Sequence, residues 1–266
     1  MEENVGLAFL LTTLAGLATA IGAGIAFFAK KTNFKLLSTA MGFSAGVMIY
    51  ISFVELFTGG YNSLVEQLGE STGAWYATSA FFAGIMITAI IDKLVPSFEN
   101  PHEFDKGSEP PESEAHYKEL YRTGIFTALV IGIHNFPEGI ATFMGTLKDP
   151  QLGVSIAIAV AVHNIPEGIA VSAPIFYATG NKKKAFWFSF LSGFAEPVGA
   201  VIAYLILRPF LSDVVVGLSF AFIAGIMVFI SFDQLLPAAQ KYGSHHRSLY
   251  GLIAGMAVMA FSLLIS

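Results

Sequence analysis

The chain has 266 residues, 55% apolar and only 12% charged, with a mean hydropathy of +0.66. A soluble domain of this length carries about a quarter charged residues, so the composition argues against one and for an integral membrane protein. The net charge of −5 carries little weight, because nearly all charge falls in short connections, and the absence of Cys excludes disulfides and thiolate metal sites.

Glu2 and Glu3 open the chain where a secretory signal would be basic, so the first apolar run reads as a retained span. Runs long enough to cross a bilayer fall at roughly 5–29, 36–58, 74–96, 123–145, 151–178, 185–207, 214–237 and 248–265. The predicted fold is therefore all-α, with eight transmembrane helices in a single membrane domain spanning 1–266. Basic residues set its direction. Twelve of the 14 Lys and Arg residues lie in or beside the odd-numbered connections, and only Lys148 and Arg208 in the even ones. The odd connections are then cytoplasmic and both termini outside.

Residues 42–57, GFSAGVMIYISFVELF, match 221–236, AFIAGIMVFISFDQLL, on spans two and seven, which run in opposite directions. An inverted repeat requires that relation. Ala83-Gly84-Ile85-Met86 of span three matches Ala224-Gly225-Ile226-Met227 equally well, so a small-residue packing face is the competing reading. Glu55 and Asp233, near the ends of these spans, read either as vestibule ligands or as interfacial side chains. The connection 97–121 is rich in Pro, Glu and Ser and is expected to be a flexible cytoplasmic loop. Its His102 and His116, with His245 and His246 of the last cytoplasmic connection, could receive a released cation; solvated loop histidines are the simpler reading.

Spans four and five carry one string twice, 29 positions apart: His134-Asn135-Phe136-Pro137-Glu138-Gly139 and His163-Asn164-Ile165-Pro166-Glu167-Gly168. Positions i and i+4 share a helix face, so His134 lines up with Glu138 and His163 with Glu167. A tight turn around Lys148, Asp149 and Pro150 makes the two spans antiparallel neighbours. Both histidines then lie roughly 20 Å from that turn, at one depth, with the motifs facing each other near mid-membrane. Span six adds Glu196, also followed by proline, at Pro197.

No Lys or Arg shares that depth, so the three acids are not explained as ion pairs. A buried carboxylate without a partner either takes a proton or finds a cation. Imidazole, carboxylate and amide oxygen together suit borderline divalent ions such as Zn²⁺, Fe²⁺, Mn²⁺, Co²⁺ and Cd²⁺. His134, Asn135, Glu138, His163, Asn164, Glu167 and Glu196 are the candidate metal ligands, more than one tetrahedral ion needs. Two adjacent ions bridged by glutamates are one arrangement that uses them, and the count alone does not decide between one ion and two. An intramembrane metallohydrolase usually sets its general base beside a ligand, as in HExxH, whereas Asn follows each His here. A neutral-solute channel built on paired Asn-Pro elements needs no acids at its constriction.

At these residues the chain resembles the ZIP family of divalent metal transporters, and within it the bacterial branch of the ZupT type. HNFPEG in span four, HNIPEG in span five and Ala195-Glu196-Pro197 in span six carry the resemblance, which extends over essentially the whole chain. It implies a 3+2+3 helical bundle with an inverted repeat, in a bacterial inner membrane, with metal at a binuclear centre. By position, His134, Glu138 and Glu167 would hold one ion, and Asn135, Glu138, Glu167, Asn164 and Glu196 a second. His163 stands where the family often has His; several members have His or Asp where this chain has Glu167 or Asn164. The activity implied is uptake of Zn²⁺ and other divalent metals into the cytoplasm, with metal as transported substrate, no catalytic cofactor and no enzymatic step. The partners expected are divalent ions and the bilayer, no nucleic acid, with a homodimer compatible.

Overall fold

A computed structural model describes residues 4–28, 34–94, 114–207, 210, 212–242 and 244–265, and among these there is no strand. They form eight helical rods. α1 is Val5–Phe28, and α2 runs as Phe34–Ile51, a π-helical segment Ser52–Phe57, and Thr58–Leu68. α3 is Glu70–Leu94, α4 Glu114–Lys148 and α5 Pro150–Thr179. α6 comprises Lys182–Gly193, a turn at Phe194, Ala195–Ile202 and a π-helical segment Ala203–Leu207. α7 is Asp213–Ile230, a π-helical Ser231–Leu235 and Leu236–Tyr242, and α8 is His245–Ile265.

Seven of these rods are long and apolar enough to cross a membrane. The exception is α4, whose 35 residues suffice in length but whose middle holds His134, Asn135 and Glu138. The loop expected over 97–121 ends sooner. Residues 114–121 form the opening turns of α4, because Glu, Ala, Lys and Leu at this polar end are good helix formers. Lys184 of α6 covers this end, its Nζ 4.2 Å from the Tyr121 ring centroid. Residues 97–113, with His102, lie outside the described residues, as does the His116 side chain.

The turn between α4 and α5 is a single residue. Asp149 is extended (φ −150°, ψ 120°) and its side chain accepts from Gln151 N–H at 2.8 Å, while Pro150 occupies the first helical position, where no N–H is needed. So short a link forces α4 and α5 into antiparallel contact.

The remaining helices surround that pair in two matching sets. α1 packs chiefly on α5, and α6 on α4; α2 and α7 pack on each other, α2 also on α8 and α7 also on α3. Exchanging α1 with α6, α2 with α7, α3 with α8 and α4 with α5 reproduces these neighbours. The inverted repeat and the packing-face reading therefore both hold. Gly84 of α3 abuts the Phe222 carbonyl of α7, and Gly225 of α7 abuts the Phe81 carbonyl of α3. Spans three and seven look alike because they are mutual partners, and small residues let their backbones touch. The repeat extends to backbone detail, since matched Ser52 and Ser231 each open a π-helical segment and each donates to the carbonyl four residues back, at 2.6 and 2.7 Å.

Outward faces remain apolar. Leu10, Leu14, Ile21, Ile25, Phe82, Met86, Ile90, Phe261 and Leu264 are all exposed on the bundle's exterior. Such continuous apolar surface suits lipid rather than water.

Candidate metal centre

α4 and α5 present their repeated motifs to each other at the centre of the bundle, and α6 adds the turn at Phe194 that aims Glu196 inward. His134, Asn135, Glu138, His163, Asn164, Glu167 and Glu196 are each at most 2% exposed. Every Lys and Arg whose burial is described is exposed, so no basic side chain among them neutralises these acids.

The structure brings all seven predicted residues together and crosses their pairing. Each histidine meets the glutamate of the opposite helix: His134 Nε2 lies 3.0 Å from Glu167 Oε1, and His163 Nε2 lies 3.0 Å from Glu138 Oε2. Spacing of i and i+4 sets a shared face, and the antiparallel approach of the second helix then decides which carboxylate is nearer. Each contact needs one proton between ring nitrogen and carboxylate.

His163 is oriented from behind, since Nδ1–H donates to the Ala159 carbonyl at 3.1 Å. That bond fixes the tautomer whose Nε2 lone pair is available to a metal. The asparagines are anchored across the two-fold: Asn135 Nδ2 donates to the Ser192 carbonyl of α6 at 3.1 Å, and Asn164 Nδ2 to the Ala15 carbonyl of α1 at 2.9 Å. Asn164 also donates to Glu196 Oε1.

What these bonds leave over is oxygen and one ring nitrogen. His134 Nδ1, Asn135 Oδ1, Glu138 Oε1, Asn164 Oδ1, Glu167 Oε2 and Glu196 Oε2 are buried without a partner. Leaving buried polar atoms unmet is costly, and five of these six can only accept while their carboxyls are ionised. As the side chains stand, no three His, Asp or Glu among the described residues are arranged around one point to hold an ion. A metal held by these side chains would require the His–Glu contacts to open, each giving up its shared proton.

Other candidates lie elsewhere. Glu55 and Asp233 fall in the π-helical segments of α2 and α7, both half-buried. His245 and His246 are exposed, their rings 5.7 Å apart, away from the central cluster at the start of α8. Sequence reasoning missed Ser192 and Ala15, which act through backbone carbonyls and so leave no trace in residue type. It also missed Thr19, whose hydroxyl is buried and unpartnered.

A multi-pass helical bundle enclosing a buried imidazole–carboxylate–amide cluster, with no basic counter-charge among its described residues, has the makings of a membrane protein that handles cations. The sequence model of the ZIP zinc transporter family matches residues 92–263. Full-length relatives agree. The zinc transporter ZupT of Nitratidesulfovibrio vulgaris is 55% identical, with 99% of this chain and 98% of that protein aligned. Those of Lysinibacillus sphaericus and Clostridium perfringens are 58% and 57% identical, covering 100% and 99% of this chain and 99% and 97% of theirs. The chain belongs to the ZIP family.

Proposed function

We propose that this protein takes up Zn²⁺, and with it Fe²⁺, Mn²⁺, Cd²⁺ and Co²⁺, through the seven-residue centre, which holds two ions bridged by Glu138 and Glu167. The observation that carries this reading is the burial of three carboxylates and two imidazoles from three helices, with six unpartnered polar atoms and no basic neighbour among the described residues. The relatives' name supports zinc as the principal cargo. All eight rods cross the membrane, α4 included, as one transporter domain in the inner membrane. Its termini lie outside and the connection between α3 and α4 in the cytoplasm, following the basic-residue asymmetry.

The resting cluster predicts how pH acts. Both His–Glu contacts hold a proton, and a metal binds only when imidazole is neutral and carboxylate ionised, so zinc binding expels protons and acid opposes it. In liposomes loaded with a metal-sensing dye, uptake should fall as external pH is lowered from 7.5 to 5.5, and zinc addition to weakly buffered purified protein should acidify the solution. Proton release of zero together with pH-independent uptake would contradict the proposed ligand set. The same assay, run with the five metals in turn, tests the breadth of substrates.

A further inference from the structure

The two halves of the bundle are matched position for position around the centre, and at one of those positions a hydroxyl stands where the other half has a carboxylate. Ala15 and Ser192, Gly16 and Gly193, Ala18 and Ala195, Thr19 and Glu196, and Gly22 and Gly199 are each 177 positions apart on α1 and α6. Their contacts repeat as well. Ala15 and Ser192 offer the carbonyls that anchor Asn164 and Asn135. A methyl placed on Gly16 would stand 3.4 Å from Glu196 Cβ, and one placed on Gly193 would stand 2.8 Å from Thr19 Cβ and 2.7 Å from Thr19 Oγ1. Thr19 thus occupies in one half the place that Glu196 occupies in the other.

Its hydroxyl is also the exception among its neighbours. A helical threonine in an apolar setting ordinarily donates to the carbonyl four residues back. Thr12 and Thr13 of the same helix do so, to Ala8 and Phe9 at 2.8 and 2.7 Å. The corresponding carbonyl for Thr19 is that of Ala15, which already accepts from Asn164. Thr19 is 0% exposed and its Oγ1 is left without a partner.

We propose that Thr19 is a neutral oxygen donor to the divalent cation in transit, the counterpart of Glu196 across the two-fold, and that this Thr/Glu exchange sets the centre's charge and metal preference. A hydroxyl in place of a fourth carboxylate lets an ion be held on the α1 side without the tight electrostatic grip that would slow its release. The proposal rests on the transport reading above.

The test uses full-length protein in proteoliposomes, with Zn²⁺ and Mn²⁺ as probes, and equilibrium Zn²⁺ binding to the same preparations. Thr19→Val keeps the shape and removes the oxygen; Thr19→Ser keeps the oxygen. Thr19→Val should weaken zinc binding about tenfold, in line with the loss of a supporting group at a metal site, and change the Zn²⁺/Mn²⁺ uptake ratio. Thr19→Ser should stay within about twofold of wild type, on the same scale. Thr19→Ala serves in place of Thr19→Val if the latter is not monodisperse, and metal-free melting temperatures identify a purely structural effect. Wild-type affinity and wild-type metal ratio in Thr19→Val and Thr19→Ala would overturn the proposal, as would an equal loss in Thr19→Ser. Glu138→Ala is run alongside: if it too binds zinc like wild type, the transport centre itself is misassigned, whereas its loss with an unaffected Thr19→Val removes only the role given to Thr19.

Discussion

Glu138→Ala should abolish metal uptake while leaving the protein in the membrane. Glu138 is 0% exposed, lies 3.0 Å from His163 through one oxygen, and has its other oxygen unpartnered. In the proposed centre it bridges both ions, so its removal takes a ligand from each and leaves His163 without its carboxylate. Loss of a group that merely supports a metal ligand costs about 10- to 100-fold in affinity. A bridging ligand should cost at least about 100-fold, and uptake should drop to the level of empty liposomes. The fold should survive. Alanine is well accepted in a helix, and the change removes an acid whose burial opposes folding when no metal is bound. The check is dye-reported uptake against the amount of monodisperse protein; transport within a fewfold of wild type would remove Glu138 from the centre.

Gly168→Ala should lower stability strongly. The added methyl would fall inside the van der Waals radius of the Thr19 carbonyl oxygen, and the nearest atoms are rigid helix backbone rather than a side chain that can turn aside. α1 and α5 would be pushed apart where Asn164 reaches Ala15 and Ser189 donates to the Thr19 carbonyl at 3.1 Å. Overpacking of this kind typically costs about 1 to 3 kcal/mol. The two-fold predicts the same for Gly139→Ala, whose methyl would meet the Glu196 carbonyl. Gly24→Ala is the control, with nothing within 4 Å of the new carbon. Melting temperatures of the detergent-solubilised proteins should fall for the first two and hold for the third; equal melting in all three would show that the helix contacts at the motif glycines are looser than described.

Much of this was legible in the sequence because membranes restrict the possibilities. A lipid-exposed chain must be helical, an apolar run gives each span, and depth follows from the count of residues to a turn. Six of the central residues could therefore be placed together from the repeated motif and the Lys148-Asp149-Pro150 turn alone, with Glu196 added by its depth in span six. The partners within the cluster could not. Residue spacing gives the face of a helix but not the offset of its neighbour, so the crossed pairs His134–Glu167 and His163–Glu138 emerge only in three dimensions.

Other features were hidden for different reasons. The start of α4 at Glu114 was obscured because a polar helix end has the composition of a loop. The symmetry between α1 and α6 rests on Gly16, Ala18 and Gly22 matching Gly193, Ala195 and Gly199, a pattern too short to rise above the glycine content of the chain. Thr19 looked like any helical threonine. Only the capture of the Ala15 carbonyl by Asn164 sets it apart.

The account depends on a divalent ion being the counter-charge for the buried acids. Anomalous diffraction at the zinc edge, from crystals of the full-length protein soaked in Zn²⁺, addresses that directly. Density is expected between α4, α5 and α6, within coordination distance of His134, Glu138 and Glu167, with the 3.0 Å His–Glu contacts opened. Zinc found only at surface groups such as His245 and His246, with those contacts intact, would contradict it.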